Sequence, residues 1–366
     1  MGLGPTYVSI YPPLSPAVLL RRPAHELPFP LGEPGCRLYM EARQGLWWGL
    51  KGLGIGPGDE ILAPAYHHGS EIEALVRTGA RCRFYDSREG FEPDEAELES
   101  LLGPHVRALY LIHPLGFAQH AARWRRWCDE RGLLLFEDGA QAWLSARDGR
   151  PVGAHADLAL FCLYKVFGVT DGGAVLSKAF AGPLPARNSM GARGLAGRLA
   201  DWGAQRSRLA AALFRKRRHP PAENERPEVD FALSGLDERA TRTTRALLSR
   251  VVDTGAPARR RANFARLAER FGELRSPAFA TMPPESSPLA FPIEVEDKRV
   301  TVDRLASRGI MGTLMWTTPH PAMAVGRYPG AANLRARLIG LPVHQELDSA
   351  DIDRITARAA AALAGR

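Results

Sequence analysis

The stretch "FCLYKVFGVTDGGAVL" (161–176) sets a single amine, Lys165, among apolar residues and a glycine-rich turn. Lysine is scarce in this chain, at five of 48 basic residues, and arginine is the default cation. A guanidinium stays charged under ordinary conditions, whereas an amine desolvated in an apolar pocket can lose its proton and act as a nucleophile. The alternative is a lysine whose stem is buried and whose head reaches water. Asp138 ends the run "LLLFED", 27 residues before Lys165. Such a carboxylate and amine could form a structural ion pair. They could equally be the pair that a pyridoxal phosphate (PLP) enzyme requires, the lysine condensing with the cofactor aldehyde and the aspartate keeping the ring nitrogen protonated. An arginine could not form the imine, and a neutral amide could not favour the pyridinium.

The surrounding pattern supplies elements to position these groups. Residues 1–35 are rich in proline and read as an extended arm, and 38–53 read as a helix closed by "GIGPGDE". Strands are then expected in "EILAPAY", "RCRFYD", "VRALYLIH", "LLLFED", "LALFCLY" and "GAVLS", with helices in "EIEALVRTG", "EPDEAELESLL" and "AARWRRWCDERG". The alternation predicts an α/β fold with a mostly parallel sheet covered on both faces, in which chemistry gathers at the carboxyl ends of strands. Asp138, His113 and Tyr66 fall at such ends. Helical pattern resumes over 236–272. A strand "PLAFPIEV" and helices "RVTVDRLASRG" and "ADIDRITARAAAAL" follow. The division expected is a large domain over 1–235 and a smaller α+β domain over 236–366.

At 366 residues the chain exceeds the usual size of one compact core, and its 45% hydrophobic and 24% charged content is that of a globular protein. Four cysteines without CxxC spacing argue against a zinc site or a disulfide scaffold, so no metal is expected and a reducing cytoplasm fits. No apolar run approaches membrane-spanning length, and no signal peptide is read. The net charge of +8 is concentrated in 192–219, which carries +7 and repeats leucines at helical spacing. This basic amphipathic helix is expected to be solvated or packed on a neighbour, or to touch an anionic membrane or acidic carrier. No nucleic-acid-binding motif accompanies the charge.

Four stretches, "LGIGPGDEILAPAY", "FEDGAQAW", "DLALFCLYKVFGVTDGGAV" and "LIGLPVHQELDSADIDRI", resemble in order and spacing the DegT-type (DegT/DnrJ/StrS) PLP-dependent sugar aminotransferases. The resemblance implies the fold type I PLP-transferase architecture and a homodimer. It also implies an amino group moved from a donor such as glutamate to a keto-sugar or related carbonyl acceptor. It makes Lys165 the Schiff-base lysine and proton shuttle, and Asp138 the partner of the pyridine nitrogen. Gln141 would lie near the ring hydroxyl and His68 would stack on the ring. His113 matches a family histidine for which a structural role fits as well.

The chain also departs from that pattern. Where the family cradles the phosphate with a Ser-Gly-Thr turn at a helix N-terminus, this chain reads "EARQG". Arg43 and Gln44 are the expected donors there, with an Arg43–Glu41 pair as the alternative. Cys162 stands at the place of a phosphate-touching serine. The family's Asn-Tyr-Arg segment corresponds to "VDFALSGLDE", which keeps none of those polar residues. The alternatives to an aminotransferase are a PLP lyase or dehydratase on the same scaffold, or a degenerate homologue that binds without turnover. Retention of Lys165 argues against the dehydratase branch.

Overall fold

The computed structural model describes residues 6–86, 91–182, 184–207, 209–211, 231–324 and 326–364. Its centre is a seven-stranded sheet. In chain order the strands are β1 (Cys36–Tyr39), β2 (Glu60–Pro64), β3 (Arg81–Tyr85), β4 (Val106–Ile112), β5 (Leu134–Asp138), β6 (Leu158–Cys162) and β7 (Gly173–Ser177). Their spatial order is β1-β7-β6-β5-β4-β2-β3, parallel except that β7 runs antiparallel to both β1 and β6. Strands β2, β4, β5 and β6 are buried almost throughout, as strands covered on both faces must be. The fold is the α/β architecture expected from the alternating pattern.

Helices α1 (Ala42–Gly52), α2 (Ser70–Val76), α3 (Glu95–Ser100) and α4 (Ala121–Asp129) cover the sheet, and a single turn, α5 (Leu163–Val166), follows β6 directly. The helix expected from residue 38 begins at Ala42, because 36–39 pair with β7 as an edge strand. The strand expected through Tyr164 stops at Cys162 for the opposite reason. Leu163 N–H bonds to Gly172 O, and the chain coils instead of extending.

Helix α6 (Ala192–Arg206) covers the first half of the basic segment; 212–230, with Arg215, Lys216, Arg217 and Arg218, lie outside the described residues. The helical pattern over 236–272 resolves into α7 (Arg242–Val251) and α8 (Ala256–Phe271). Beyond them come β8 (Ala290–Glu294), α9 (Lys298–Ser307), α10 (Pro329–Arg337), β9 (Leu338–Pro342), which pairs antiparallel with β8, and α11 (Ser349–Ala364). The N-terminal arm reaches this C-terminal third, where Val8 and Ser9 pair with Ile310 and Met311. One apolar core runs from Leu46, Ile61 and Tyr110 of the large sheet to Phe264, Phe291, Ile339 and Ile355.

Candidate active site

Asp138 is the last residue of β5 and is buried. Its Oδ1 accepts the Ala140 N–H at 2.9 Å and its Oδ2 accepts the Tyr110 hydroxyl at 2.8 Å. Burial pushes this carboxyl above its ordinary range, while those two donors and the Lys165 charge pull it down. Tyr110 pairs with Phe136 across β4 and β5, so it is the diagonal neighbour of Asp138. That contact follows from strand register, which sequence alone does not display.

Lys165 lies on α5, buried to 6% exposure. Its charge acts on Asp138 and also on Cys162, the residue preceding α5, whose thiol burial pushes up to about 11. The structure therefore brings Lys165, Asp138 and Cys162 together at the carboxyl ends of β5 and β6. Gln141, three residues beyond Asp138, is buried, and its Oε1 accepts the Leu115 N–H at 2.8 Å. Leu115 has φ of 50°, a left-handed conformation costly for leucine, so Gln141 fixes a strained turn after β4.

His68 lies in the loop between β2 and α2, edge-on to Phe231 and Trp316 with ring centroids 5.9 and 6.3 Å away. Its neighbour His67 is fully buried, with Nδ1 3.0 Å from Pro64 O and Nε2 accepting the His320 N–H at 3.1 Å. These contacts set the neutral tautomer with the proton on Nδ1, and burial together with the Arg335 charge holds the imidazole well below its usual range. Glu71 accepts the N–H groups of His68 (2.8 Å) and Gly69 (3.1 Å). Burial, aided by the Asp138 charge, raises its carboxyl to about 7.

The expected phosphate end is arranged differently. Arg43 Nε lies 2.9 Å from Glu41 Oε2, and its Nη1 donates to Ala232 O at 3.3 Å. Gln44 Oε1 accepts the Glu41 N–H at 2.9 Å, and Nε2 donates to Ser234 O at 3.0 Å. Trp48 Nε1 donates to Leu236 O at 2.7 Å. The segment "FALSGLDE" (231–238) thus lies along α1 of its own chain and offers it backbone carbonyls.

His113, also at a strand end, donates from Nε2 to Glu137 Oε2 at 3.0 Å and accepts the Gln119 N–H at Nδ1. Glu137 also receives the N–H groups of Gly153 and His155, so the pair is internally satisfied. Sequence reasoning missed Tyr110, Glu71 and Phe231. Glu71 carried a faint signal, a carboxylate in the first turn of a helix.

The residues fit PLP at the ring and aldehyde ends, where a buried carboxylate and a buried lysine converge. At the phosphate end the cationic side chain is present but is turned to Glu41. The strand order is that of an α/β fold with a mostly parallel central sheet, with Asp138 at the end of β5 and Lys165 on the turn that follows β6. Residues 40–180 match the model of the DegT/DnrJ/EryC1/StrS aminotransferase family, so the resemblance is borne out over that segment. The chain is 35% identical over 134 residues to the dTDP-3-amino-3,4,6-trideoxy-alpha-D-glucose transaminase of Streptomyces venezuelae, an alignment spanning 35% of each chain. It is 29% identical over 131 residues to the GDP-perosamine synthase of Vibrio cholerae, spanning 35% of this chain and 36% of that protein. The matches thus cover about a third of these curated relatives.

Helicobacter pylori PseC, an aminotransferase involved in the biosynthesis of pseudoaminic acid, superposes with a TM-score of 0.66 at 16% identity over 98% of this chain and 99% of that chain. A putative sugar aminotransferase from Streptococcus pneumoniae in its PMP form gives 0.65 at 18% identity, with 98% of each chain covered. These likenesses extend the shared fold to nearly the whole chain.

Proposed function

We propose that this protein is a PLP-dependent aminotransferase that passes an amino group from an amino acid such as glutamate to a keto-sugar or related carbonyl compound. The observation that carries the reading is the convergence of buried Lys165 and buried Asp138 at adjacent strand ends. When bound, PLP supplies an aldehyde to take the amino group and a ring to accept the electron pair released at the substrate carbon. Lys165 Nζ carries the proton to and from that carbon. Asp138, held by Tyr110 and Ala140, keeps the proton on the ring nitrogen. His68 provides a ring face. Gln141, with Oε1 committed to Leu115, would have Nε2 left to meet the ring hydroxyl. Cys162 and Arg43 would hold the phosphate, Arg43 exchanging Glu41 for the incoming anion, while Gln44 braces the turn.

The sugar-nucleotide transaminases among the relatives support a sugar acceptor. A homodimer working in the cytoplasm is part of the proposal, and the four free thiols agree with a reducing compartment. The Arg43–Glu41 pair favours one second reading, a homologue that binds ligand without turnover. The test is uptake of PLP by purified protein, read as a visible absorbance band. The band is expected to be lost in Lys165→Ala and kept in Lys178→Ala, since Lys178 is bound to Asp157 at 2.6 Å on the surface. Glutamate is then expected to convert the bound cofactor to its amine form. Protein that takes up no PLP would overturn the enzyme reading, and uptake without conversion would favour the second one.

A further inference from the structure

The turn that carries Lys165 is only four residues long, and so short a helix cannot satisfy its own last carbonyls. One of them, Val166 O, is adjacent to the lysine. It accepts two hydrogen bonds, from Arg260 Nη2 at 3.0 Å and from Gln345 Nε2 at 2.8 Å. Both donors come from the far part of the chain, Arg260 from α8 and Gln345 from the segment after β9. They are also joined to each other, Arg260 Nε donating to Gln345 Oε1 at 2.8 Å, and Arg260 Nη1 reaches Pro288 O at 3.2 Å.

Arg260 is fully buried, and each of these bonds ends on a neutral oxygen. Desolvation brings its guanidinium down to about 9, with the Glu346 charge offsetting only part of that cost. Burying a cation on neutral dipoles is an expensive way to fill space, and an apolar side chain of similar size would do so at lower cost. The planar fork does offer donors in fixed directions, and here they define the position of one peptide carbonyl. Gln345 belongs to the stretch "LIGLPVHQELDSADIDRI", to which the proposed chemistry assigns no other task.

We propose that Arg260 and Gln345 are positioning residues for Lys165, a cap supplied by the C-terminal third that fixes the lysine-bearing turn so that the amine faces Asp138. The proposal rests on the reading of Lys165 as the amine that bonds the cofactor. It makes the placement of the C-terminal third, through a single carbonyl, a condition for the lysine's reach.

The test compares the full-length protein with Gln345→Met, of similar volume, and Arg260→Lys, which keeps the charge and loses the fork. Each apoprotein is mixed with PLP and the growth of the visible band is timed. Affinity for pyridoxamine phosphate, which needs no bond to Lys165, is measured in parallel. Misplacing a reacting group by a fraction of an ångström to an ångström costs about ten- to a hundredfold, so band formation is expected to slow by at least about tenfold in both variants. Pyridoxamine phosphate affinity is expected to stay within about twofold, a difference of under half a kilocalorie per mole. Unchanged rates, or a parallel loss of pyridoxamine phosphate binding, overturn the positioning role. If the unsubstituted protein forms no band, the functional reading itself fails. The cap is then judged by acetic anhydride labelling of Lys165 against Lys178, read by mass spectrometry. A severalfold change in relative labelling supports it, and identical labelling removes it.

Discussion

At Asp138 the chain places a second buried carboxyl close by, Glu71, and the two cannot both hold a charge cheaply in so dry a setting. Glu71 is raised from 4.5 to about 7 in the folded protein. A group whose folded value exceeds its unfolded one adds stability that is fully present below the unfolded value and is lost as pH rises through the folded one. The unfolding free energy of the protein minus that of Glu71→Gln is therefore expected to fall between pH 4.5 and about pH 7. Urea unfolding at a series of pH values checks this, and a flat difference would mean that Glu71 is already ionised. A second prediction concerns Glu41, which holds Arg43 where a phosphate would compete for it. Glu41→Gln removes the competitor, and PLP affinity is expected to rise a few-fold, the size of one exposed ion pair at about 0.5–1 kcal/mol. Fluorescence titration measures it; weaker binding would place the phosphate elsewhere. Lys165 and Asp138 were legible in the sequence as candidates because the proposed chemistry admits no other residue types at those places. Tyr110 was not, because its meeting with Asp138 depends on how two strands align.

Among the elements, the approach of β7 to α1 builds the floor under the expected phosphate end. Gly173 makes this approach possible: a Cβ there would lie 2.1 Å from the backbone nitrogen of Ala42 and 2.3 Å from its Cα. Backbone cannot rotate aside as a side-chain tip can, so Gly173→Ala must part the strand from the helix. The expected cost is about 1–3 kcal/mol, the usual range for overpacking, read as a lowered Tm with weakened PLP binding. Gly197 in α6 offers the opposite case, since a Cβ added there would meet nothing within 4 Å among the described residues. Gly197→Ala is expected to stabilise by up to about 1 kcal/mol by removing glycine's entropic cost in a helix. A shared sign for the two substitutions would refute the contrast. Strands β2, β4, β5 and β6 were visible in the sequence because each is a largely apolar run bounded by turn residues. The edge strand β1 was hidden because its partner, β7, lies far along the chain and local pattern favoured a helix. The coiling of α5 was hidden for a similar reason, its hydrogen bonds being supplied from Gly172 and from the C-terminal third.

At the scale of the whole molecule, Phe231 is the point where three distant parts of the chain meet. Its ring is buried against His68, 5.9 Å away edge-on, and lies tilted over His320 at 5.6 Å. It also fills the space a side chain would need at Gly69. His320 in turn gives its N–H to His67, sets Nε2 2.9 Å from Glu73 Oε2, and receives the Ala322 N–H at Nδ1. The loop before α10 is thus tied to α2, with Phe231 packed over the junction beside the proposed ring-stacking residue. Nothing in "VDFALSGLDE" marks this phenylalanine, since its neighbours are close only after the chain has folded. Truncating a buried phenylalanine to alanine costs about 3–5 kcal/mol. For Phe231→Ala the lower part of that range is expected, because a surface-borne segment can relax around the loss. Loss of stability alone would not distinguish a junction from ordinary packing. Hydrogen exchange does: the His320 and Ala322 amides are expected to lose protection more than the amides of β4 and β5, because their hydrogen bonds depend on the loop staying seated. A uniform loss across the sheet would show that the ring merely contributes to global stability and holds no particular junction.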